Sequence, residues 1–425
     1  MVAMWFRRDL RLKDNAALCA AAASGERVLP LFIFDTEILS ELPPDDARVS
    51  FFCQLLENMQ GDLRGQGGSL AGFHDTPARA FNKLLADNAI TAVYANADYE
   101  PYAIARDAEI ARLLKSRGIA FHLLRDHLVF EPGEILKPDG TPYVVFTPFS
   151  KKWKSELTEN RTSSHGKPTV KWSRHSYKLP TITEIGFKPS EIRVPDADIS
   201  AKLIAGYANS RDFPSQRTSR LGPHLRFGSV SARQAVTEAL KSGEGTFLNE
   251  LIWREFFAHV LFHYPKTVSE SFRPQYDNIK WRNDQAEFEL WKTGRTGYPL
   301  VDAGMRELNA TGFMHNRVRM VAASFLCKHL LIDWRWGEAY FALKLLDYEQ
   351  ASNVGNWQWA AGSGTDAAPY FRIFNPSEQA RKFDGSGKYI VEWVPEYGTP
   401  AYPRPMVDHA MARERCLEAY KKAVG

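Results

Sequence analysis

The sequence contains little that would build a metal site or direct export. Its four cysteines, Cys19, Cys53, Cys327 and Cys416, form no C-x-x-C pair, which argues against a zinc site or an iron–sulfur cluster. The chain turns charged by Arg7, too early for the apolar stretch of a signal peptide, and no apolar run approaches the length of a membrane span. We therefore predict reduced thiols, no metal, no membrane association and a cytoplasmic location, in the bacterial cytosol or nucleoid.

An excess of charge of one sign is also missing. The formal net charge of +4 over 425 residues permits a nucleic-acid partner without requiring one. No G-x-G-x-x-G follows the first apolar run, so a standard dinucleotide site is not expected there. No obvious general acid–base pair stands out either. The length and the 44% hydrophobic content are those of a globular protein with two or three domains.

Aromatic residues, by contrast, are abundant, and 11 of them are tryptophans. Core packing explains most of these. The stretch "NVGNWQWAAGSGTDAAPYFRIFNP", residues 353–376, combines five aromatic rings with three glycines and two prolines and fits neither helical nor strand periodicity. We therefore predict an irregular loop whose aromatic surface packs against a ligand.

Residues 1–128 alternate short apolar runs with amphipathic segments. "VAMWF" (2–6), "VLPLFIF" (28–34), "TAVYAN" (91–96) and "FHLLRD" (121–126) are typical of buried parallel strands, and "RVSFFCQLLENMQGDLRGQG" of a helix that ends at glycine. This alternation predicts an α/β, doubly wound parallel sheet of the Rossmann-like type.

The remaining chain changes in character twice. Residues 129–195 are rich in Pro, Gly, Ser, Thr and Lys and are predicted to be a connector, and residues 196–425 are predicted to be an all-α domain. Ser231 is placed to cap one helix, and another is predicted to run from Pro299 to Gly312. "NRVRMVAASFLCKHLLIDW" (316–334) is predicted to be one long central helix.

Three clusters in the helical part could carry chemistry. In "RDFPSQRTSRLGPHLRFGS" (211–229), a Thr-Ser-Arg triplet before a helix suits a phosphate cradle, although an ordinary capped turn has the same pattern. Glu250, Trp253, Arg254 and Phe257 share one helix face, which suits either a nucleobase pocket or a surface ion pair beside core aromatics.

The third cluster is "HNRVRM", in which Asn316 and Met320 lie one turn apart on the same face. Arg317 and Arg319 add two cations at the start of an apolar helix. A buried arginine needs a partner, for which Asp347 is the candidate, whereas an arginine in solvent needs none.

Taken in order, these segments resemble the photolyase/cryptochrome family. The resemblance is carried by "WFRRDLRLKDN", "RDFP…TSRL", "NELIWREF", "KTGRTGYPLVDAGMRELNATGFMHNRVRM", "SFLCKHLLIDWRWGE" and "NWQWAAGSGTDAAPYFRIFNP". It covers nearly the whole chain, is densest over residues 207–395, and is strongest to the microbial cyclobutane pyrimidine dimer photolyases.

The resemblance implies a flavin adenine dinucleotide (FAD), held bent in the helical domain and active in its reduced, anionic form. The residues expected to hold its phosphates are Tyr207, Thr218, Ser219, Arg220, Leu221 and Gly222. Those expected to line the flavin and its ribityl–adenine portion are Phe247, Arg319, Asp347, Tyr348, Glu349 and Asn353. The family commonly has Asp at the position of Glu349 and often Gly at that of Tyr348.

It also implies light-dependent repair of pyrimidine dimers in DNA by a monomeric enzyme, a carbon–carbon lyase. Glu250 and Asn316 would hydrogen-bond the dimer bases, with Trp253 and Met320 packed against them. The residues expected to help hold DNA, besides Glu250, Trp253 and Asn316, are Arg211, Arg254, Arg317 and Gln379.

Two further expectations concern electron transfer and light harvesting. Trp357, Trp334 and Trp281 would form a chain of electron carriers, in that order from the flavin outward. Family members carry a folate, a deazaflavin, a second flavin or no antenna. Tyr102 and Ala103 replace the Asn-Glu pair of folate-binding relatives, which argues against that geometry and leaves the antenna open.

Three other functions compete with dimer repair. A cryptochrome-type blue-light sensor would share the fold and the flavin. A photolyase for six-four photoproducts would want a histidine pair at the "HNRVRM" position, which Asn316 disfavours. An α/β nucleotide-binding module with a helical interaction domain would need the missing glycine fingerprint.

Overall fold

The computed structural model describes residues 1–367 and 369–424, which form two compact units. Each unit is assembled from separate stretches of chain. The first comprises Met1–Glu134, Trp153–Ile199 and Arg220–Gly243, and the second comprises Ile135–Lys152, Ser200–Ser219 and Glu244–Gly425. The predicted division at residues 128 and 195 stays a prediction, and the residues of the predicted connector, 129–195, are shared between the two units.

Buried ion pairs explain why Arg220–Gly243 belongs to the first unit. Arg233 places Nε 3.0 Å from Asp14 Oδ1 and Nη2 2.7 Å from Asp126 Oδ1, with all three side chains buried. Arg226 Nη1 lies 2.8 Å from Glu100 Oε1. A buried guanidinium is costly unless it is paired, so these contacts fix the helix Ala232–Ser242 to the α/β core.

The first unit contains a five-stranded parallel sheet. Its strands, in the spatial order β3-β2-β1-β4-β5, are β1 (Val2–Phe6), β2 (Val28–Asp35), β3 (Ala71–Asp75), β4 (Ala92–Asn96) and β5 (Ala120–Leu124). Its helices are Ala16–Ala23, Thr36–Leu39, Ala47–Arg64, Pro77–Asp87, Pro101–Lys115, Glu159–Thr162, Leu221–Arg226 and Ala232–Ser242. The predicted α/β doubly wound fold is confirmed.

The two edge strands are where the strand predictions were incomplete. β3, "AGFHD", was not predicted, because it has too few apolar residues to resemble a buried strand. β5 was predicted to be buried, yet Leu123 is 45% exposed. An edge strand has a neighbour on one side only, so it needs less apolar sequence than β1 or β2, whose residues are all buried.

The second unit is helical, as predicted. Its helices are Ala201–Ser210, Gly245–His263, Gln285–Lys292, Pro299–Thr311, Asn316–Ser324, Trp334–Lys344, Gln350–Ala361, Pro376–Phe383, Lys388–Trp393 and His409–Val424, with 3₁₀ turns at Pro265–Val268 and Pro274–Asn278. The helix Phe146–Glu156 contains residues of both units. No helix among the described residues is long and apolar enough to cross a membrane.

Two helix boundaries that were predicted from capping residues are found in the structure. The Ser231 hydroxyl accepts a hydrogen bond from the Gln234 N–H at 3.0 Å. The helix Pro299–Thr311 ends at Gly312, whose φ of +66° is readily adopted only by glycine.

Two predicted elements differ from the structure. The segment 316–334 is not one helix: an α-helix over Asn316–Ser324 gives way to a π-helical turn, Phe325–His329, and Trp334 begins another helix. The "irregular" stretch 353–376 is helical up to Ala361 and irregular only afterwards, with Ala368 outside the described residues. Its two tryptophans do not form one apolar stripe, because they are two residues apart on the helix, yet both line one cavity, where Trp357 is buried and Trp359 is half-buried.

Candidate functional site

The second unit contains a cavity of about 580 Å³, a volume that includes space open to solvent. Its walls come from the helices Asn316–Ser324, Trp334–Lys344 and Gln350–Ala361 and from the turn before the last of these. The predicted site residues that line it are Asn316, Arg319, Met320, Asp347, Tyr348, Glu349, Asn353 and Trp357. Residues predicted for the cofactor, the lesion and electron transfer are thus brought together in one place.

The charged wall of the cavity is built by Arg319 and Asp347. Arg319 Nη1 and Nη2 donate to the two carboxylate oxygens of Asp347 at 3.1 and 2.9 Å, and Arg319 Nε donates to the Met314 carbonyl at 2.7 Å. The partner predicted for this arginine is therefore confirmed. The two hydrogen bonds to one carboxylate fix the plane of the Arg319 guanidinium. Its remaining N–H groups therefore point in a defined direction.

The polar wall contains Asn353 and an unpredicted partner, Glu338. Asn353 Nδ2 donates to Glu338 Oε1 at 2.8 Å and to the Glu338 carbonyl at 3.0 Å. Burial raises the pKa of Glu338, and the hydrogen bond from Asn353 opposes that rise. With Nδ2 engaged, Oδ1 of Asn353 is the amide atom that can accept a hydrogen bond from a ligand.

The aromatic wall is formed around Trp357. Phe341 meets its ring edge-on, with centroids 4.9 Å apart. A Cβ at Gly337 would come within 2.1 Å of the Trp357 ring, so only glycine lets the helix Trp334–Lys344 approach so closely. Flat apolar walls beside a guanidinium and an amide suit a planar ligand with a polar edge.

Glu349 connects this cavity to the helix Gly245–His263. Its Oε1 lies 2.9 Å from Arg254 Nη2, and its Oε2 accepts from the Ser352 hydroxyl at 3.0 Å. The Arg254 and Glu349 side chains are 13% and 6% exposed, so the pair is largely shielded from solvent. The longer acid found here in place of the family's usual Asp thus has a defined partner.

On the same helix, Glu250 pairs with Arg211 rather than with Arg254. Arg211 Nη1 lies 2.6 Å from Glu250 Oε1. Burial raises the pKa of Glu250, and the charge of Arg211 works against that rise. Tyr207 and Phe247, both predicted to hold the cofactor, meet edge-on beside this pair with ring centroids 5.1 Å apart.

Trp253 lies one turn further along the helix in an aromatic cluster. Phe146 stacks on it face to face, with ring centroids 3.7 Å apart and an interplanar angle of 4°. Phe257 lies 5.5 Å away at 29°. The cluster packs closely against the helix Gln350–Ala361 at Gly355. A Cβ at that position would come within 2.2 Å of the Phe257 ring.

The other predicted DNA contacts form a separate group. Arg317 Nη2 lies 2.6 Å from Asp212 Oδ1, and its guanidinium lies 4.2 Å from the centroid of the Phe383 ring. Gln379 is on the same helix as Phe383, one turn earlier, and is half-buried.

The three predicted electron carriers differ in burial. Trp357 and Trp334 are 2% and 1% exposed, whereas Trp281 is half-buried and meets Tyr420 edge-on at 6.0 Å. This gradient agrees with an outermost position for Trp281. Trp334 begins the helix that carries Gly337, one turn before the contact with Trp357.

The predicted phosphate-binding segment is divided between the units. Thr218 and Ser219 end the stretch Ser200–Ser219 of the second unit, and Arg220, Leu221 and Gly222 begin the stretch Arg220–Gly243 of the first. Arg220 adopts a left-handed backbone, with φ of +52°, immediately before the helix Leu221–Arg226. A cofactor role for these five residues stays a prediction.

The first unit has its own cavity at the carboxyl ends of β1 and β2, of about 840 Å³ with the space open to solvent included. Tyr102 and Ala103, which the resemblance places at the position of the folate-type Asn-Glu pair, both line it. The Tyr102 hydroxyl donates to Asp35 Oδ2 at 2.6 Å. Ligands of doubly wound sheets bind at this end of the strands, so the position is suited to a second ligand.

Comparisons with known proteins agree with this arrangement. The model of the family described as "DNA photolyase" matches residues 2–169, and that described as "FAD binding domain of DNA photolyase" matches residues 247–400. A Halobacterium salinarum deoxyribodipyrimidine photo-lyase is 37% identical, with all of both chains covered. The chain belongs to the DNA photolyase family.

Solved structures of photolyases show the same fold. A bacterial class III photolyase from Agrobacterium tumefaciens superposes with a TM-score of 0.90 at 34% identity, covering 99% of this chain and 97% of its own. An archaeal photolyase from Sulfolobus tokodaii, described with two FAD molecules, has a TM-score of 0.85 at 34% identity and coverage of 99% and 100%.

The hydrogen-bonding and aromatic groups that line the cavity of the second unit fit FAD. A fixed guanidinium, an amide with a free acceptor atom and four aromatic residues line it, namely Phe341, Tyr348, Trp357 and Trp359. These groups suit a planar ring system with hydrogen-bonding edges and do not suit a metal. Among the described residues no group of three or more His, Cys, Asp or Glu could hold a metal ion.

Several cavity residues were not predicted. Trp359, Phe341 and Asn356 line the same cavity, and Glu338 holds Asn353. The W-x-W pattern gave a signal for Trp359, since two large aromatic rings two residues apart on a helix need more apolar surroundings than a single stripe offers, and both rings line this cavity. Glu338 had no such signal, because nothing in "RWGEAYF" sets it apart from a surface acid.

Proposed function

We propose that this chain repairs cyclobutane pyrimidine dimers in DNA by light-driven electron transfer from reduced FAD. The observation that supports this best is the single cavity in which Asn316 and Met320, predicted to contact the lesion, adjoin Asn353 and Arg319, predicted to contact the flavin. A donor and an acceptor must lie close for electron transfer, and a common cavity provides that proximity.

The residues of the cavity would hold the cofactor and exclude water. Arg319, kept in place by Asp347, and the free oxygen of Asn353 would bind the polar edge of the ring, and Trp357 and Phe341 would enclose its apolar surface. When bound and reduced, FAD supplies a light-excited electron that splits the cyclobutane ring and afterwards returns. No acid–base pair is required of the protein.

The lesion would be held by the helix Gly245–His263 together with the helix Asn316–Ser324. Glu250 and Asn316 would hydrogen-bond the bases, and Trp253 and Met320 would pack against them. Photolyases are among the known base-flipping enzymes, and a dimer stacks poorly in the duplex, which reduces the cost of swinging it out.

Arg211, Arg254, Arg317 and Gln379 are proposed to hold the DNA backbone. The three arginines are paired with Glu250, Glu349 and Asp212 at 2.6, 2.9 and 2.6 Å. A phosphate would therefore compete with a carboxylate for each guanidinium. This competition favours weak binding to undamaged DNA and a modest salt dependence.

Four accompanying proposals concern the rest of the protein. Trp357, Trp334 and Trp281 would carry electrons to oxidised flavin, and Thr218 to Gly222 would bind the cofactor phosphates. A second, antenna chromophore would bind in the cavity at the carboxyl ends of β1 and β2, where Tyr102 and Ala103 argue against the Asn-Glu folate geometry and leave its identity open. The enzyme would act as a monomer in the cytoplasm.

The test is loss of dimers from a thymine-dimer oligonucleotide mixed with fully reduced protein under blue light, with a dark control. We expect light-dependent loss in the wild type and a large reduction in Glu250→Gln. Glu238→Gln, which alters a surface ion pair with Lys241, serves as the matched control and should repair normally.

Failure of the wild type to repair, with reduced FAD bound, would contradict the proposal. The cryptochrome-type sensor, which shares the fold and the flavin, would then be favoured. Repair restricted to six-four photoproducts would likewise contradict it.

A further inference from the structure

The stack between Phe146 and Trp253 is the tightest aromatic contact of the helix Gly245–His263, which the proposed function assigns to the lesion. Its centroid separation of 3.7 Å and interplanar angle of 4° are those of a full face-to-face stack. The other two rings in contact with Trp253 are less parallel or more distant: Phe256 meets it edge-on at 81°, and Phe257 stacks more loosely, with centroids 5.5 Å apart at 29°. Phe146 is thus the group that covers one complete face of the indole.

Phe146 is itself held on several sides. Its backbone N–H donates to Asp366 Oδ2 at 3.1 Å, and its ring meets Phe256 edge-on with centroids 5.9 Å apart. Three residues further on, Phe149 is 2% exposed and packs against Phe256 and His259 at 5.3 and 5.1 Å. The segment is therefore anchored along the helix Gly245–His263, and the ring of Phe146 has a fixed place.

Asp366, which holds the Phe146 amide, follows the helix that carries Trp357 and Trp359. Its φ of +47° is a left-handed conformation that non-glycine residues rarely adopt, and such conformations persist only where the surroundings fix them. The start of the helix Phe146–Glu156, the helix Gly245–His263 and the loop after the helix Gln350–Ala361 thus meet at Phe146.

We propose that Phe146 is a positioning residue for dimer recognition: by stacking on Trp253, it fixes the plane of the indole that would pack against the flipped pyrimidine dimer. The inference depends on the proposed function, because that function assigns Trp253 to the lesion pocket. An indole that is already oriented loses less conformational freedom on binding, so its contact with the dimer adds more to affinity.

The test compares Phe146→Leu, Phe146→Tyr and Phe149→Leu with the wild-type holoenzyme. The readouts are the Kd for a single-stranded thymine-dimer oligonucleotide, the Kd for the undamaged strand and the dimers repaired per photon at saturating oligonucleotide. Near-ultraviolet circular dichroism, which is sensitive to aromatic stacking, reports the state of Trp253 without any DNA.

We expect Phe146→Leu to raise the Kd for dimer DNA about 3- to 10-fold, the range of one aromatic pair, and to leave the other Kd and the repair per photon unchanged. Phe146→Tyr, which keeps the ring, should restore both the Kd and the dichroism. Phe149→Leu disturbs the same segment without touching the stack, so it should lower stability and keep dimer discrimination.

Three results would overturn the inference. An unchanged dimer Kd in Phe146→Leu would show that Trp253 needs no support. Tighter binding would show that Phe146 competes with the dimer for the indole. If Phe146→Leu and Phe149→Leu both weakened binding to the dimer strand and to the undamaged strand by the same factor, Phe146 would have a structural role only. If Trp253→Ala also kept full dimer affinity, the assignment of Trp253 in the proposed function would fail, and this inference with it.

Discussion

Asn353 is bound by Glu338 through two hydrogen bonds, from Nδ2 to the carboxylate at 2.8 Å and to the backbone carbonyl at 3.0 Å. The amide therefore has one orientation in the cavity. Because Glu338 is buried, its pKa is raised, and the Asn353 amide is the group that lowers it again. The residue predicted to face the flavin is in this way coupled to a titratable group.

Asn353→Asp should leave one carboxyl group of this pair protonated at neutral pH. Two carboxyl groups at hydrogen-bond distance cannot both ionise, so the pKa of one rises strongly. The infrared band of a protonated carboxylic acid should therefore appear in the variant at pH 7 and disappear in Asn353→Asp combined with Glu338→Gln.

Asn356→Asp is the matched control for that experiment. Asn356 is exposed on the same helix and lines the same cavity. Its acid should ionise normally and give no such band. A band absent from Asn353→Asp would mean that solvent or cofactor separates the two carboxyl groups.

Trp253→Ala should weaken binding to dimer-containing DNA by about 1–3 kcal/mol, the contribution of one base stacked on an aromatic ring. The measurement is a titration of a labelled thymine-dimer strand at fixed salt, repeated with the undamaged strand. Phe262→Ala is the control, since Phe262 is on the same helix and 41% exposed. Equal losses for both strands would remove Trp253 from the lesion pocket.

Trp281→Phe should abolish photoreduction of oxidised flavin and spare repair by protein reduced beforehand. The phenylalanine ring is much harder to oxidise than indole, so the outermost carrier would be lost with little change of shape. Flavin absorbance under blue light with an external thiol donor measures this. Trp336→Phe, a half-buried ring of the same core, should photoreduce normally. Normal photoreduction in Trp281→Phe would refute the predicted chain.

The sequence could predict those parts of the site that local rules govern. Arg319 lies near the start of an apolar helix, where a buried arginine would need a partner, and the candidate partner Asp347 does pair with it. Asn316 and Met320 are four apart on a helix, so they had to share a face, and both line the cavity. The helix ends at Ser231 and Gly312 followed from capping chemistry alone.

The parts that were missed depend on contacts between distant segments. Phe146 lies in a stretch whose composition resembles a connector, and nothing in it indicates a stack on Trp253. The helix Ala232–Ser242 belongs to the α/β unit because its buried Arg233 pairs with Asp126 of that unit. Its helical periodicity had instead indicated the second domain. Burial and pairing of this kind require the folded coordinates.

Lys328 is a buried cation outside the cavity. It is 1% exposed on the π-helical turn, donates to the Tyr370 carbonyl at 3.1 Å and lies 4.0 Å from the centroid of the Tyr420 ring. No carboxylate is among these contacts. Burial lowers the pKa of Lys328 to about 8 from its ordinary 10.5.

This shift makes the free energy of unfolding depend on pH. Between pH 8 and 10.5 the unfolded chain, with its ordinary lysine pKa, holds the proton that the folded chain has released. The contribution of Lys328 to stability therefore rises with pH across that window, by up to about 3 kcal/mol, and is constant below it.

Lys328→Met should remove this dependence. Relative to the variant, the wild type should gain stability from pH 8 to 10.5, as measured by urea unfolding at several pH values. Taking the difference cancels the tyrosines and cysteines that titrate in the same range. Lys421→Met, an exposed position on the last helix, should show no such trend. A difference independent of pH would mean that Lys328 keeps its proton in the folded protein, stabilised there by the Tyr420 ring and the Tyr370 carbonyl.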